Sequence, residues 1–166
     1  MHEEEEEETL ATGKTGSGIV RIGFRVLVVR DAAGSSCDAL TLTLSRVVRI
    51  VELDVLGSLD AARAAFAERG PKDAATLVLS CLDLPPAPRA GALAAAEADL
   101  RGLATILVTR SKRWIPEDAA RCHELAWLPP DAGALSVADA IDFALRRAGE
   151  LRERQTDGLA WRRAGA

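Results

Sequence analysis

Several residues that could do chemistry stand where apolar runs of the sequence stop, namely Arg30, Asp31, Cys81, Asp83 and Thr109. A thiol can act as a nucleophile or a redox group, and a carboxylate can accept a phosphoryl group or hold a metal ion. These side chains can act together only if the fold brings the ends of the runs to one place. The elements that carry them therefore decide which chemistry is available.

The cysteines do not form a motif, because Cys37, Cys81 and Cys122 are far apart and no C-x-x-C pair occurs. This sparse set argues against a disulfide framework or a structural zinc site and fits a reducing, cytoplasmic compartment. Catalysis by Cys81 would need a nearby base, and His2 and His123 are the two histidines of the sequence. We expect a buried, inert Cys81, no metal site and no catalytic residue.

Nucleotide cofactors are not expected either. Gly13-Lys14-Thr15 looks like part of a phosphate loop, but Glu8 stands where that loop needs a glycine. We therefore predict no cofactor.

Strand-like and helix-like segments alternate along the chain. Apolar runs predict strands at 24–29, 49–53, 77–81, 105–109 and 125–128. Helices are predicted at 37–47, after Gly57-Ser58, through Leu93, Ala96, Leu100 and Leu103, at Pro116-Glu117-Asp118, and from the capping-box pattern Ser136–Asp139. Five such units predict a parallel α/β sheet with helices on both faces, whose sites lie beyond the carboxyl ends of the strands.

The charge of the chain is concentrated in its first residues. The net charge is −4, and Glu3–Glu8 carry six negative charges, which leaves +2 for the rest. The body gives no electrostatic reason to expect nucleic-acid binding, and no apolar run is long enough to cross a membrane. We expect a disordered acidic tail at 1–22, one domain at 23–150, and an extended helix end and tail at 151–166.

The strand ends resemble those of bacterial response-regulator receiver domains, over roughly 25–148. Receivers carry an acidic pair after the first strand, where this chain has Arg30-Asp31. Their phosphoacceptor aspartate stands four residues before a proline, and here Cys81 precedes Pro85. A threonine or serine ends their fourth strand, which Thr109 matches, whereas bulky Arg110 replaces the small residue that usually follows.

The fifth strand departs from the receiver pattern as well. A Lys-Pro pair ends it in receivers, and here the pair is Leu128-Pro129. The aromatic switch position three residues earlier holds Leu125. The resemblance implies the flavodoxin-like (βα)5 fold, with a five-stranded parallel sheet in the order 2-1-3-4-5.

Phosphoryl transfer needs a carboxylate nucleophile and a divalent metal ion held by hard oxygen ligands. Arg30 places a positive charge near the expected metal position, Cys81 supplies a soft sulfur, and Leu128 removes the phosphate-binding cation. We therefore predict a degenerate phosphorylation pocket formed by Arg30, Asp31, Cys81, Asp83, Thr109 and Leu128. In it, Asp31 and Asp83 are expected to pair with Arg30 or Arg110.

The chain is accordingly identified as a stand-alone pseudo-receiver of two-component signal transduction or a phosphorelay. It is expected to be non-enzymatic and to act by protein–protein interaction without phosphorylation. Partners implied by the resemblance are a histidine kinase, another regulator or an output protein, with a homodimer through the last helices as a further option. The predicted interaction surface contains Trp114, Arg121, Leu125 and Trp127. Two alternatives stay open: a small-ligand or thiol-redox sensor around Cys81, and a weak phosphoacceptor at Asp83.

Overall fold

Five parallel strands form a single sheet in the order β2-β1-β3-β4-β5. A computed structural model describes residues 23–30, 38–68, 70, 73–82 and 88–165. The strands are β1 Gly23–Val29, β2 Arg49–Leu56, β3 Ala74–Cys81, β4 Ala104–Val108 and β5 Ala126–Leu128. The predicted flavodoxin-like topology, with strand order 2-1-3-4-5, is confirmed.

Helices cover both faces of this sheet. They are α1 Asp38–Val47, α2 Leu59–Ala67, α3 Pro88–Leu100 and α4 Ala134–Gly165. Buried side chains of α1 and α4 share one hydrophobic cluster with Phe24 and Val26 of β1, whereas α2 and α3 share another with Leu27. Successive residues of a strand point to opposite faces, so β1 supplies both layers of the core.

Helix starts follow local capping chemistry in one case and depart from it in another. The Ser58 side chain caps α2, because its Oγ accepts a hydrogen bond of 3.0 Å from the Ala61 backbone N–H. The last helix was expected to begin at Ser136, but α4 begins at Ala134. The Val137 N–H donates to the Gly133 carbonyl, so Ser136 lies within the first turn.

The prediction of a helix that begins at Pro116 is wrong. Residues Lys112–Trp114 and Ala120–Glu124 form short 3-10 turns instead. Ile115 has extended backbone angles, as the residue before a proline prefers, and this ends the first turn. The Pro116 carbonyl then accepts a hydrogen bond from the Ala119 N–H. A chain of turns therefore occupies the place where receivers have their fourth helix.

The buried face of α3 also differs from the leucine pattern of the sequence. Leu93 and Leu100 are exposed, whereas α3 packs through alanines, namely Ala92, Ala94, Ala95 and Ala98. Small side chains let a helix approach a sheet closely. Gly91 lies so near the end of β3 that a Cβ atom there would overlap the Cys81 carbonyl oxygen. Close approach selects small residues for this interface, and the leucines are left outside.

Strand β2 is the edge strand next to β1 and runs three residues beyond the predicted end at Leu53. It supplies two carboxylates, Glu52 and Asp54, to the buried guanidinium of Arg25 in β1. Glu68, just after α2, contributes a third at 3.4 Å. A buried cation is tolerable when carboxylates surround it, which explains an arginine within an otherwise apolar strand.

The expected acidic tail at 1–22 lies outside the described residues, and so does Ala166. The expected boundary at 150 falls inside α4, which is continuous through it. Within the described residues, no helix combines the length and the apolar character that crossing a bilayer would require.

Candidate functional site

The carboxyl ends of four strands meet at one edge of the sheet. In the register of the sheet, Val29 is opposite Ser80, and Val108 is opposite both Cys81 and Leu128. The Thr109 N–H continues this register by donating to the Leu128 carbonyl at 3.0 Å. The fold therefore brings the ends that carry Arg30, Cys81, Thr109 and Leu128 to the same edge, as the sequence predicted. Asp31 and Asp83 lie outside the described residues.

Cys81 occupies the tip of β3, 1% exposed, and it is disulfide-bonded. Its sulfur partner lies outside the described residues. The sequence indicated a free thiol and no disulfide, so this expectation is corrected. A sulfur in a disulfide is neither a thiolate nucleophile nor a phosphoacceptor. The burial that we predicted for Cys81 agrees with its position in the larger core cluster.

Leu128 belongs to the same hydrophobic cluster as Cys81 and Val108. Its side chain is buried, so the position at which receivers place their lysine contributes to the core here. No side-chain cation can reach the strand tip from this position. Leu125 is buried as well, in the cluster on the α3 side. Its inclusion in the predicted interaction surface is therefore corrected.

The Thr109 side chain is fully buried and hydrogen-bonds within its own loop. Its Oγ1 donates to the Ser111 carbonyl at 2.9 Å, and it also accepts from the Ser111 N–H at 3.3 Å. Ser111 in turn caps the following 3-10 turn through a hydrogen bond from the Arg113 N–H. The hydroxyl thus closes the turn after β4.

Arg30 follows β1, and its backbone N–H donates to the Leu56 carbonyl of β2. Its guanidinium lies toward α1, with Nη2 3.6 Å from Asp38 Oδ1. The other terminal nitrogen, Nη1, is buried and has no hydrogen-bond partner among the described residues. Arg30 lines a cleft between α1 and β2, and this cleft does not include Cys81, Thr109 or Leu128 among its described lining residues.

A second cleft lies at the carboxyl ends of β4 and β5, with a volume of about 400 Å³. Arg110, Pro129, Pro130 and Asp131 line it. Its described lining is therefore one arginine, two prolines and one carboxylate.

The described residues of the strand edge do not provide the ligands of the magnesium ion that receivers use. Magnesium requires several hard oxygen ligands, whereas the described edge offers the disulfide sulfur of Cys81, the Leu128 side chain and a Thr109 hydroxyl that already hydrogen-bonds to Ser111. Within residues 23–30, 38–68, 70, 73–82 and 88–165, no group of three histidine, cysteine or acidic side chains could hold a metal ion.

The remaining predicted surface residues lie on or near the segment of 3-10 turns. Trp114 is exposed, and Trp127 is partly buried with the Lys112 ammonium 5.8 Å from its ring centroid. This distance is that of a cation–π contact. Arg110 and Arg113 are exposed beside them. The segment therefore presents cations and an indole ring together.

Arg121 has a structural role that the sequence did not reveal. Its Nη1 donates to Asp99 Oδ2 at 2.7 Å, and Arg147 of α4 binds the same buried carboxylate. Arg147 also pairs with Glu124 at 3.3 Å. Hydrogen bonding to Asp99 raises the pKa of the Arg147 guanidinium above its ordinary value. Asp99 is one of two acidic residues in the alanine-rich helix α3, and this was the sequence signal for the cluster.

Several solved structures with a similar fold are receiver domains. The signal receiver domain of an HD domain-containing protein from Pseudomonas fluorescens Pf-5 is 21% identical, with a TM-score of 0.59, over 82% of this chain and 96% of that one. The signal receiver domain of a modulated diguanylate cyclase from Desulfovibrio desulfuricans G20 is also 21% identical, with a TM-score of 0.54, over 77% and 96%. The chain has the receiver fold.

A response regulator receiver domain from Clostridium thermocellum matches at 17% identity and a TM-score of 0.54, over 76% of this chain and 98% of that one. No protein-family model matches the sequence, and no curated protein matches it. The receiver resemblance of the strand ends thus agrees with the three-dimensional comparison, and the likeness concerns the fold.

Proposed function

We propose that this chain is a receiver-like signalling protein that acts by binding other proteins and does not use aspartyl phosphorylation. The observation that carries the proposal is the state of Cys81, which occupies the acceptor position and is buried and disulfide-bonded. A phosphoryl group cannot be accepted there, because a disulfide sulfur is not a thiolate nucleophile and the position has no carboxylate.

Two further features support this proposal. Leu128 contributes to the core where a phosphate-binding cation would be needed. The Thr109 hydroxyl is engaged with Ser111 in the turn after β4, so in this conformation it serves the backbone of its own loop. Receivers use such groups to respond to a phosphate. Here Leu128 packs in the core and the Thr109 hydroxyl holds its own loop, so neither is available to a phosphate in this conformation. We assign no enzymatic reaction to the chain.

The surface best suited to a protein partner is the segment around Lys112, Arg113 and Trp114. Tryptophan and arginine are the residues that most often anchor interfaces. Their side chains are exposed, and the cations favour a partner with an acidic surface. The partner that we propose is therefore a signalling protein with acidic side chains around an apolar pocket for the Trp114 indole.

Phosphorylation is tested by incubating the protein with acetyl phosphate and magnesium and measuring its intact mass. We expect no added phosphoryl group, while a receiver with an intact aspartate gains one under the same conditions. A phosphoryl adduct that disappears in Asp83→Asn would establish the weak phosphoacceptor alternative and contradict the proposal.

Partner binding is tested by cross-linking in cells that express the protein with Trp114→Ala. Leu42→Ala is the matched control, because Leu42 is another exposed apolar side chain but lies on α1. The cross-linked species should be lost with Trp114→Ala and retained with Leu42→Ala. Equal cross-linking by both variants would remove Trp114 from the interface.

The disulfide of Cys81 favours a second candidate function, a thiol-redox sensor. Reduction by two equivalents of a small thiol would break the protein disulfide, give two protein thiols and form one small-molecule disulfide. Losing this cross-link would release the tip of β3 and lower stability, typically by about 2–4 kcal/mol.

Sensing is tested by titrating the protein against a thiol–disulfide buffer while partner cross-linking is followed. Cys81→Ser should reproduce the reduced state, and Cys122→Ser is the matched control. If the protein is a redox sensor, the amount of cross-linked partner should change at a defined reduction potential of the buffer. Cross-linking that is the same at every potential would leave a structural disulfide and rule out sensing through this partner.

A further inference from the structure

The cleft between α1 and the edge strand β2 has the features of a separate binding site. Its volume is about 400 Å³, which lies within the range of small-molecule sites in proteins, roughly 300–1,000 Å³. It is lined at one end by Arg30 and Asp38 and along its length by apolar side chains. The degenerate phosphorylation pocket shares only Arg30 with it among the described residues.

The apolar wall is exposed to an unusual degree. Leu53 and Val55 of β2 are 44% and 48% exposed, and Leu42 of α1, across the cleft, is 57% exposed. Leu53 and Val55 are two residues apart in a strand, so they point to the same side of the sheet. Contiguous exposed apolar side chains of this kind mark ligand or partner sites more often than ordinary surface.

The polar end offers a hydrogen-bond donor that none of the described residues uses. The Arg30 side chain is 15% exposed, and its buried Nη1 has no hydrogen-bond partner among the described residues. Nη2 is 3.6 Å from Asp38, which is an ion pair but too long for a hydrogen bond. A guanidinium presents two parallel donors that match a carboxylate, so Arg30 retains the capacity for a bidentate contact.

We propose that this cleft binds a small monocarboxylic acid with an apolar chain. The carboxylate is held by the Arg30 guanidinium, which turns so that its buried Nη1 faces the cleft beside Nη2, and the chain lies along Leu42, Leu53 and Val55. The Asp38 side chain is largely exposed and can turn into solvent when the carboxylate arrives. This ligand site goes beyond the protein-binding function and does not depend on it.

The lining also decides against other ligand classes. Inorganic phosphate or sulfate would bind Arg30 but would leave the apolar wall uncovered. Dicarboxylates would place a second charge against Leu53 or near Asp38. The Ser45 hydroxyl, which could serve a second polar group, already donates to the Leu42 carbonyl at 2.6 Å. One charged end and one apolar chain therefore match the cleft best.

The test is a titration of the ¹⁵N-labelled full chain with hexanoate, followed by amide NMR shifts. Acetate, which lacks the chain, and hexanamide, which lacks the charge, are the control ligands. We expect hexanoate to shift amides near Arg30, Leu42 and Leu53 and to bind at least about tenfold more tightly than either control. Equal binding of hexanamide, or shifts confined to the Arg110–Asp131 cleft, would overturn the proposal.

Two variants and one control complete the experiment. Arg30→Gln should weaken hexanoate binding about tenfold or more. Arg89→Gln is the control and should leave binding unchanged, because Arg89 is an exposed arginine of α3 that pairs with Asp118. If Arg30→Gln does not fold, Leu53→Glu gives the same information, because it places a carboxylate in the cleft at an exposed position. If the folded Arg30→Gln or Leu53→Glu variant binds hexanoate as tightly as the wild type, the proposed site in this cleft is wrong.

Discussion

Arg147 holds the carboxylate of Asp99 through two hydrogen bonds, Nε to Oδ1 at 2.9 Å and Nη2 to Oδ2 at 3.0 Å. Asp99 is on α3 and Arg147 is on α4, two helices that cover opposite faces of the sheet. Arg152 and Gln155 of α4 extend the connection by donating to the carbonyls of Gly102 and Leu100 at the end of α3. This set of contacts, the α3–α4 clasp, joins the two layers beyond the sheet itself.

Breaking the clasp should destabilise the protein. Arg147→Met leaves the buried Asp99 carboxylate with Arg121 as its remaining described partner, and we expect a loss of about 3 kcal/mol in the free energy of unfolding. The control is Arg146→Met, which removes an exposed i,i+4 pair with Asp142 and should cost less than about 1 kcal/mol. Urea denaturation measures both, and similar losses in the two variants would contradict this account.

Close packing between α3 and β3 gives a second prediction. Gly91→Ala would force a methyl group against the Cys81 carbonyl oxygen and the Leu82 side chain, so we expect a loss of about 1–3 kcal/mol. Gly149→Ala is the matched control in α4, where an added methyl meets nothing within 4 Å. It should raise stability by about 0.5–1 kcal/mol. Thermal unfolding of both variants checks the opposite signs.

The ion pair between Arg63 and Glu97 should make the stability of the protein depend on pH in the acid range. Hydrogen bonding from Arg63 is the main reason that the pKa of Glu97 is lowered. A lowered folded-state pKa means that the pair stabilises the protein above the unfolded glutamate pKa, about 4.3, and that this contribution is lost as the pH falls through the folded value. Wild type and Glu97→Gln should therefore converge in melting temperature as the pH is lowered.

Glu117→Gln, at an exposed glutamate between the two 3-10 turns, serves as the reference for a general charge effect. A difference between wild type and Glu97→Gln that stays constant from neutral pH to acid would show that the Arg63 pair contributes nothing.

Cys122 should be unreactive in the folded protein. Its pKa is raised, chiefly by burial and secondarily by the charge of Asp99, and its Sγ contacts the Ala92 carbonyl at 3.3 Å. The unfolded thiol ionises at lower pH, so this group makes stability fall as the pH rises through the ordinary thiol range. A chromogenic disulfide reagent should label Cys122 only after urea is added, with Cys122→Ala identifying its signal. Fast labelling of the native protein would refute this.

Strand positions and the parallel topology could be read from the sequence because apolar runs and short connections are local signals. The same reasoning placed Arg30, Cys81, Thr109 and Leu128 at one edge. The disulfide of Cys81 could not be read, since it depends on the approach of residues that are distant in sequence. The direction of the Arg30 side chain, toward α1 and away from the strand tip, likewise depends on the contact with Asp38.

Two further differences arise because tertiary packing outweighs local pattern. The leucines of α3 have helical spacing, but the close approach at Gly91 selects the alanine face, so Leu93 and Leu100 remain outside. Pro116 was interpreted as a first helical residue. In the structure its effect on Ile115 ends one turn, and the segment continues as 3-10 turns.

Because α4 is long, a change at the α3–α4 clasp would displace the far end of this helix. The helix continues to Gly165, 18 residues past Arg147, which corresponds to about 27 Å of rise. An α-helix of this length transmits rotation much as a rod does. A tilt of roughly 10° about Asp99 would move its far end by about 5 Å, so a small rearrangement at one buried carboxylate is amplified into a displacement comparable to a full helical turn.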